Sequence, residues 1–152
     1  MSVRIVEVAF EPYEEVRAHQ RGLGDRLRSV GATATFVGSM RDFGSKDQID
    51  MMTIEYYPGM TDKHLRGIEK EARRRWNLDE ILIVHRVGDL APTDPIVLVA
   101  VWSGHRADAF EACRFALEDL KSSAPFWKKE RSGSDEHWVS KNTPGFTEDA
   151  HN

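Results

Sequence analysis

Glu80-Ile81-Leu82-Ile83-Val84-His85-Arg86-Val87 and Pro95-Ile96-Val97-Leu98-Val99-Ala100-Val101-Trp102 carry the strongest strand signals in the chain. Both are apolar, β-branched runs of strand length. Between them Gly88-Asp89-Leu90-Ala91-Pro92-Thr93-Asp94 is rich in turn formers, so the two runs are expected to pair antiparallel. A mostly antiparallel sheet with helices packed on it, an α+β arrangement, follows from placing the other segments around this pair.

Working outward towards the N-terminus, residues 3–10 alternate loosely and predict an opening strand. Glu11-Pro12 then starts a short helix to about His19, and Gly22, Gly24 and Gly31 punctuate the stretch after it. Residues 32–38 predict a strand that delivers Ser39-Met40-Arg41 into a polar loop, residues 42–47, expected to be mobile. Residues 51–57 predict a second central strand, stopped by Pro58-Gly59. Thr61 is placed as N-cap of a helix to about Trp76, with Leu65, Ile68, Ala72 and Trp76 on its buried face. The basic residues on its other face, Lys63, Arg66, Lys70, Arg73 and Arg74, lie among acidic neighbours and read as a solvated surface.

On the C-terminal side, Ser103 is suited to cap a helix whose buried stripe is Phe110, Cys113, Leu117 and Leu120. Lys121 then emerges at the helix end, beside the core. Past Trp138 the chain turns polar through Lys141-Asn142-Thr143-Pro144-Gly145. Residues 1–142 are therefore expected to form one domain, and residues 143–152 a disordered tail.

Composition narrows the function. The chain has 152 residues, 40% of them hydrophobic, which suffices for one core and not for two. A net charge of −4 argues against a general nucleic-acid binder, which needs a positive field to neutralise phosphates. No segment approaches the roughly 18 to 20 continuous apolar residues of a membrane span, and the start alternates charge with hydrophobics, unlike a signal peptide. One cysteine, Cys113, excludes an internal disulfide and fits a reducing, cytoplasmic setting.

Ala124-Pro125-Phe126-Trp127-Lys128-Lys129-Glu130 is the stretch that points to chemistry. An apolar Pro-Phe-Trp wedge held between lysines is poor core and poor linker, so it reads as one wall of a pocket for an anion. A lysine beside apolar surface has its ammonium partly desolvated, which lowers its pKa and suits it to act as base, nucleophile or phosphate clamp. Lys121 and Lys128 flank this wedge; ordinary charge at a helix C-terminus explains them as well from spacing alone. His105 and Arg106 sit where a strand becomes a helix, and free N–H groups there favour an anion. Arg41 leaves a strand end before a glycine-containing loop, another cation placed toward such a site, although an isolated surface arginine is the commoner case. Cys113 lies in an apolar stripe and reads as core rather than nucleophile. The six histidines show no metal-ligand spacing, and phosphate-cradling glycine loops and serine-nucleophile elbows are absent.

The order of motifs is specific: Glu55-Tyr56-Tyr57-Pro58-Gly59-Met60-Thr61, Val84-His85-Arg86-Val87-Gly88, Ser103-Gly104-His105-Arg106, Leu120-Lys121 through Ala124-Pro125-Phe126-Trp127-Lys128-Lys129-Glu130, then His137-Trp138-Val139. In this order the chain closely resembles the large, catalytic subunit of molybdopterin synthase, from about Ala32 to Val139. The resemblance implies an α/β hammerhead fold and a homodimer with a small ubiquitin-like sulfur-carrier subunit at each end, a heterotetramer. It implies that the carrier's C-terminal Gly-Gly thiocarboxylate supplies sulfur, and that two transfers turn cyclic pyranopterin monophosphate into the molybdopterin dithiolene with no cofactor of the enzyme's own.

Carried over residue by residue, the resemblance puts the catalytic lysines on Lys121 and Lys128. It puts anion binding on His105, Arg106 and Arg41, and a pocket wall on Phe36. Two departures stand out. Asp42-Phe43 follows Arg41 where the family commonly has Asn, and Asn142 stands where the family's tail has a basic residue, with Lys141 one position earlier as the substitute. The bland competitors are a non-catalytic binding module for a phosphorylated pterin or nucleotide, and a purely structural dimeric scaffold. One argument for sulfur transfer is independent of the resemblance: a dithiolene needs two sulfurs, and this chain offers one thiol, expected to be buried, and thioethers that do not donate sulfur.

Overall fold

In the computed structural model, which describes residues 1–42 and 49–139, the elements run in a mixed order. They are β1 (Val3–Val6), α1 (Pro12–Leu23), a 3-10 segment (Gly24–Ser29), β2 (Ala32–Ser39), β3 (Met51–Tyr56), α2 (Met60–Arg75), β4 (Leu78–Arg86), β5 (Gly88–Leu90), β6 (Pro95–Ser103), α3 (Arg106–Ser123), β7 (Phe126–Ser132) and β8 (Asp135–Trp138). One sheet has the order β1-β4-β6-β2, the other β5-β3-β7-β8. Every pairing is antiparallel except β1 with β4. The expected central pair is thus real, with Ile83 opposite Val99 and His85 opposite Val97.

Layering explains why β4 and β6 are almost continuously apolar. Side chains alternate across a strand, so a sheet covered on both faces needs apolar residues at every position. Ile81, Ile83, Val97, Val99 and Val101 pack with Leu65, Ile68 and Ala72 of α2 and Ala109, Ala112, Ala116 and Leu120 of α3. Leu82, Val84, Leu98, Ala100 and Trp102 pack on the other side with Leu23 and Val16 of α1. Trp102 is fully buried, and its indole N–H donates to Gln20 Oε1 at 3.0 Å, which satisfies the one polar atom that burial would strand.

Several local expectations are corrected by this packing. The opening strand stops at Val6 and α1 continues past His19 to Leu23, ending where Gly24 takes φ 55°. Thr61 is inside α2 and is not its cap; Gly59 is, its N–H donating to Asp62 Oδ2 at 3.0 Å. Ser103 does not cap α3 either: its hydroxyl donates to the Asn77 carbonyl at 2.9 Å, and His105 occupies the cap position. Phe110 is 67% exposed, and the stripe that α3 buries is Ala109, Ala112, Cys113, Ala116 and Leu120. Of the Pro-Phe-Trp wedge, Phe126 and Trp127 open β7, paired with β3, and Pro125 lies just before the strand. The loop expected to be mobile lies, from residue 43 onward, outside the described residues, as do Lys141, Asn142 and the tail. No helix among the described residues is long and apolar enough to cross a membrane.

Candidate functional site

Chain direction decides which cations meet. β2 and β6 are antiparallel, with Ala32 opposite Ser103 and Ser39 opposite Pro95. After Ser103 the chain reverses into α3, which packs back along the same sheet, so α3 runs in the direction of β2. Lys121, in the last turn of α3, therefore lies at the end of the sheet where β2 delivers Arg41. His105 and Arg106 lie at the other end. Fifteen residues of helix separate Arg106 from Lys121, about 22 Å at 1.5 Å per residue. Within one chain, the His-Arg pair and the lysines do not share a pocket.

Lys128 comes from the second sheet. β7 pairs Phe126 with Tyr56 and Lys128 with Ile54, and strand alternation puts Phe126, Lys128 and Glu130 on one face. On that face the Phe126 ring stacks on His85 of β4, centroids 3.8 Å apart and planes 13° apart. Trp127 points the other way, 41% exposed, its ring edge-on to Tyr57 at 5.0 Å. Only the phenylalanine of the expected wedge thus faces the lysines.

Two contacts fix the start of β7. The Thr61 hydroxyl, fully buried, accepts the Tyr57 N–H at 3.0 Å and donates to the Pro125 carbonyl at 3.0 Å. It ties the first turn of α2 to the residue before Phe126. A residue read from sequence as a helix cap is instead the clamp that sets where the Lys128 strand begins.

The electrostatics are those of desolvated cations. Burial pushes Lys128 down to about 8, with Lys121 lowering it further and Glu130 opposing. Lys121 is lowered by burial, with Glu118 opposing. His85, 2% exposed, is pushed down to about 3, chiefly by burial; its bond to the Arg86 carbonyl opposes this, and Lys128 and Lys121 add to it. Strand alternation puts Lys128 on the face where Phe126 meets His85, chain direction brings Lys121 to the same end of the sheet, and both lysines act on His85. An imidazole that stays neutral and lysines held below their ordinary range make a site that gains by admitting an anion.

Phe36 stands on β2, one edge of the first sheet, and with Cys113 and Leu117 lines an open groove of about 550 Å³ between β2 and α3. Leu117 is one helical turn before Lys121, so the groove leads along α3 toward the lysines. Gly38 leaves room there: a Cβ on it would meet Val97 Cγ1 at 2.8 Å and Phe36 Cε1 at 3.2 Å. Burial pushes the Cys113 thiol up to about 11, away from nucleophile character. Arg41 is exposed, just after the buried Met40, whose N–H donates to the Asp94 carbonyl at 2.8 Å. Among the described residues no group of His, Cys, Asp and Glu could hold a metal ion.

His85 is the residue that sequence reading passed over. Its signal is a polar side chain that directly follows the apolar run Ile81 to Val84 on a strand, but spacing offers it no metal partners.

A family model described as "MoaE protein" matches residues 8–123. A molybdopterin synthase catalytic subunit of Ralstonia nicotianae is 45% identical over 138 residues, covering 91% of this chain and 76% of that protein. The solved molybdopterin biosynthesis MoaE protein of Burkholderia ambifaria superposes with a TM-score of 0.76 at 43% identity, over 95% of this chain and 92% of that one. A Helicobacter pylori structure titled as a complex of subunits 1 and 2 of molybdopterin-converting factor shares the fold, with a TM-score of 0.78 at 20% identity over 94% and 93% of the two chains.

Proposed function

The chain belongs to the MoaE family, and from that premise we propose that it is the catalytic subunit of a molybdopterin synthase, with its lysine pocket as the seat of sulfur transfer. It is an enzyme of molybdenum-cofactor biosynthesis. The donor is the thiocarboxylated Gly-Gly terminus of a small ubiquitin-like carrier, and the acceptor is cyclic pyranopterin monophosphate. Each transfer forms a C–S bond on the pterin side chain and breaks the carrier's acyl C–S bond. The ring phosphate oxygen leaves one carbon as the cyclic phosphate opens, an oxygen leaves the other as water, and water attacking the carrier's acyl carbon releases it as a carboxylate.

The observation that carries this reading is that Lys121, at the end of α3, and Lys128, on the face of β7 that meets His85, are both desolvated cations close enough for Lys121 to act on Lys128. Both reactants are anions, and a pocket of cations in a chain of net charge −4 draws them there and holds them. Lys121 serves the thiocarboxylate carbonyl as acid/base or electrostatic stabiliser. Lys128 offsets the charge that develops as the cyclic phosphate opens. Phe36 walls the approach, and Arg41 binds phosphate at the same end. A carrier tail without side chains fits a narrow groove. The solved two-subunit complex with this fold supports a small partner.

His105 and Arg106, at the far end of α3, enter this scheme only through a second copy: in a homodimer, one protomer's pair meets its partner's lysines across the interface. Lys141 keeps its proposed role as a basic residue lent by the partner's tail. The deciding experiment incubates the purified protein with thiocarboxylated carrier and the cyclic pterin and looks for dithiolene product. Turnover that disappears when the carrier's terminal Gly-Gly is removed supports the reading; product formed equally well with the truncated carrier, or none with the intact one, overturns it.

A further inference from the structure

His85 has an unusual set of neighbours for a core residue. Ile5 and Val97 flank it in the sheet, Phe126 stacks on its ring, and it is 2% exposed. A phenylalanine would fill the same space and stack equally well without the cost of burying two nitrogens. Packing therefore does not explain the imidazole.

The nitrogens do. Nδ1 lies 2.8 Å from the Arg86 carbonyl oxygen, which can only accept, so Nδ1 carries the hydrogen. Nε2 is left with a lone pair. We infer that His85 is a positioning residue for the lysine pair, its Nε2 a fixed neutral acceptor at the base of the pocket where Lys121 of α3 and Lys128 of β7 meet. The ring also sets the height of Phe126, and through the strand that of Lys128 two residues on. This inference rests on the sulfur-transfer reading of the pocket.

A neutral acceptor has a specific advantage here. An aspartate in its place would hold the ammonium groups more strongly, but its charge would repel a thiocarboxylate and a phosphate. A hydrophobic residue would remove the acceptor altogether. Imidazole orients a lysine without adding a charge, and burial, with the two lysines adding to it, keeps it from taking up a proton. The carboxylates of Glu118 and Glu130 act on Lys121 and Lys128 from those same elements, α3 and β7.

The test compares wild type, His85→Phe and His85→Gln in the dithiolene assay across pH. His85→Phe keeps the stack and loses the acceptor; kcat is expected to fall about 10²-fold, the scale of a 1 Å misplacement, with a smaller change in KM. The alkaline limb of the rate profile is expected to move to lower pH, because an ammonium without its acceptor gives up its proton sooner. His85→Gln, which restores a polar atom, recovers part of both. An unmoved limb in His85→Phe, whatever its rate, overturns the inference, since a packing defect alone does not move a titration. Absence of product from wild type sinks the sulfur-transfer reading instead, so the two failures are distinguishable. Nitrogen-15 NMR of the unmodified protein decides the matter even where His85→Phe does not fold: a hydrogen on Nδ1 with a bare Nε2 supports it, and a hydrogen on Nε2 overturns it.

Discussion

Glu80 and His85 lie on the same strand, β4, at 7% and 2% exposure, and their electrostatic surroundings are opposite. Around Glu80 every charge has a counterpart. Burial by itself would raise the carboxyl, but Arg73, the Ile81 N–H and His19 together hold it below its ordinary value. Arg73 ion-pairs with both Glu80 and Glu69, Arg26 Nη1 lies 3.9 Å from the Glu80 carboxylate, and His19 Nε2 lies 3.2 Å from it. The charges that act on His85 are both positive, and burial lowers both of those lysines. One cluster is balanced and holds α1 and α2 to the sheet. The other brings two desolvated lysines together, with Glu118 acting on one and Glu130 on the other, and a bound anion relieves the repulsion between them.

The strongest way to break this contrast is to remove the cations. Lys121→Ala is expected to lower turnover about 10²-fold or more, the range for lost acid/base or electrostatic catalysis, with carrier binding retained in a size measurement. Lys128→Ala is expected to be equally severe. The double variant should lose far less than the product of the two, since both serve one pocket. Near-normal turnover in either single variant would reduce the lysines to ordinary helix-end and strand charge.

The balanced cluster should answer in the opposite currency. Glu80→Gln is expected to destabilise the fold by about 2 kcal/mol, since Arg73 and His19 lose a buried partner while Arg73, partly exposed, keeps Glu69. Turnover per folded molecule should stay unchanged. Urea unfolding beside the dithiolene assay checks both halves, and a loss of rate at full stability would mean that the cluster reaches the site.

A sharper comparison asks which cluster costs stability. Lys128 titrates at about 8 in the folded chain against 10.5 ordinarily, so the folded state is penalised while the lysine is charged. Between those values the unfolded chain binds more protons than the folded one, and stability rises with pH. The penalty is full below about 8 and gone above about 10.5. Lys128→Met is therefore expected to be more stable than wild type at pH 7, by on the order of 1–2 kcal/mol, with the gain shrinking through that window. A variant less stable than wild type at pH 7 would show that the native lysine is held by compensating contacts.

How much of this was legible beforehand depends on where each signal resides. β4 and β6 were readable because burial on both faces writes itself as an unbroken apolar run. In α3 the helical spacing of large apolar residues fits a stripe through Phe110 and Leu117, but a helix lying close on a sheet buries Ala109, Ala112 and Ala116 on an adjacent stripe and sends the Phe110 ring outward. The lysines were named from their apolar setting, but their meeting depends on α3 reversing along the sheet and on β7 joining a different sheet. Neither is encoded in local spacing. His105 and Arg106 were grouped with them for the same reason, and only the length of α3 separates them.

That separation carries the smallest expected effect and the most informative one. Arg106 is exposed at the start of α3, so Arg106→Ala should weaken binding of the cyclic pterin by about 5-fold, as fits an exposed charge contact worth roughly 1 kcal/mol, with little change in the maximal rate. Mixing tells which copy it serves. If the pair acts on the partner's lysines, a heterodimer of Arg106→Ala and Lys121→Ala chains holds one intact site, assembled from the undamaged half of each. At subsaturating substrate, an equal mixture of the two variants, allowed to exchange subunits, should then be more active than Arg106→Ala alone. If Arg106 serves its own chain, no intact site can form and the activity should fall in proportion to dilution. The second result would leave about 22 Å of helix between Arg106 and the chemistry, and would return it to an ordinary surface arginine.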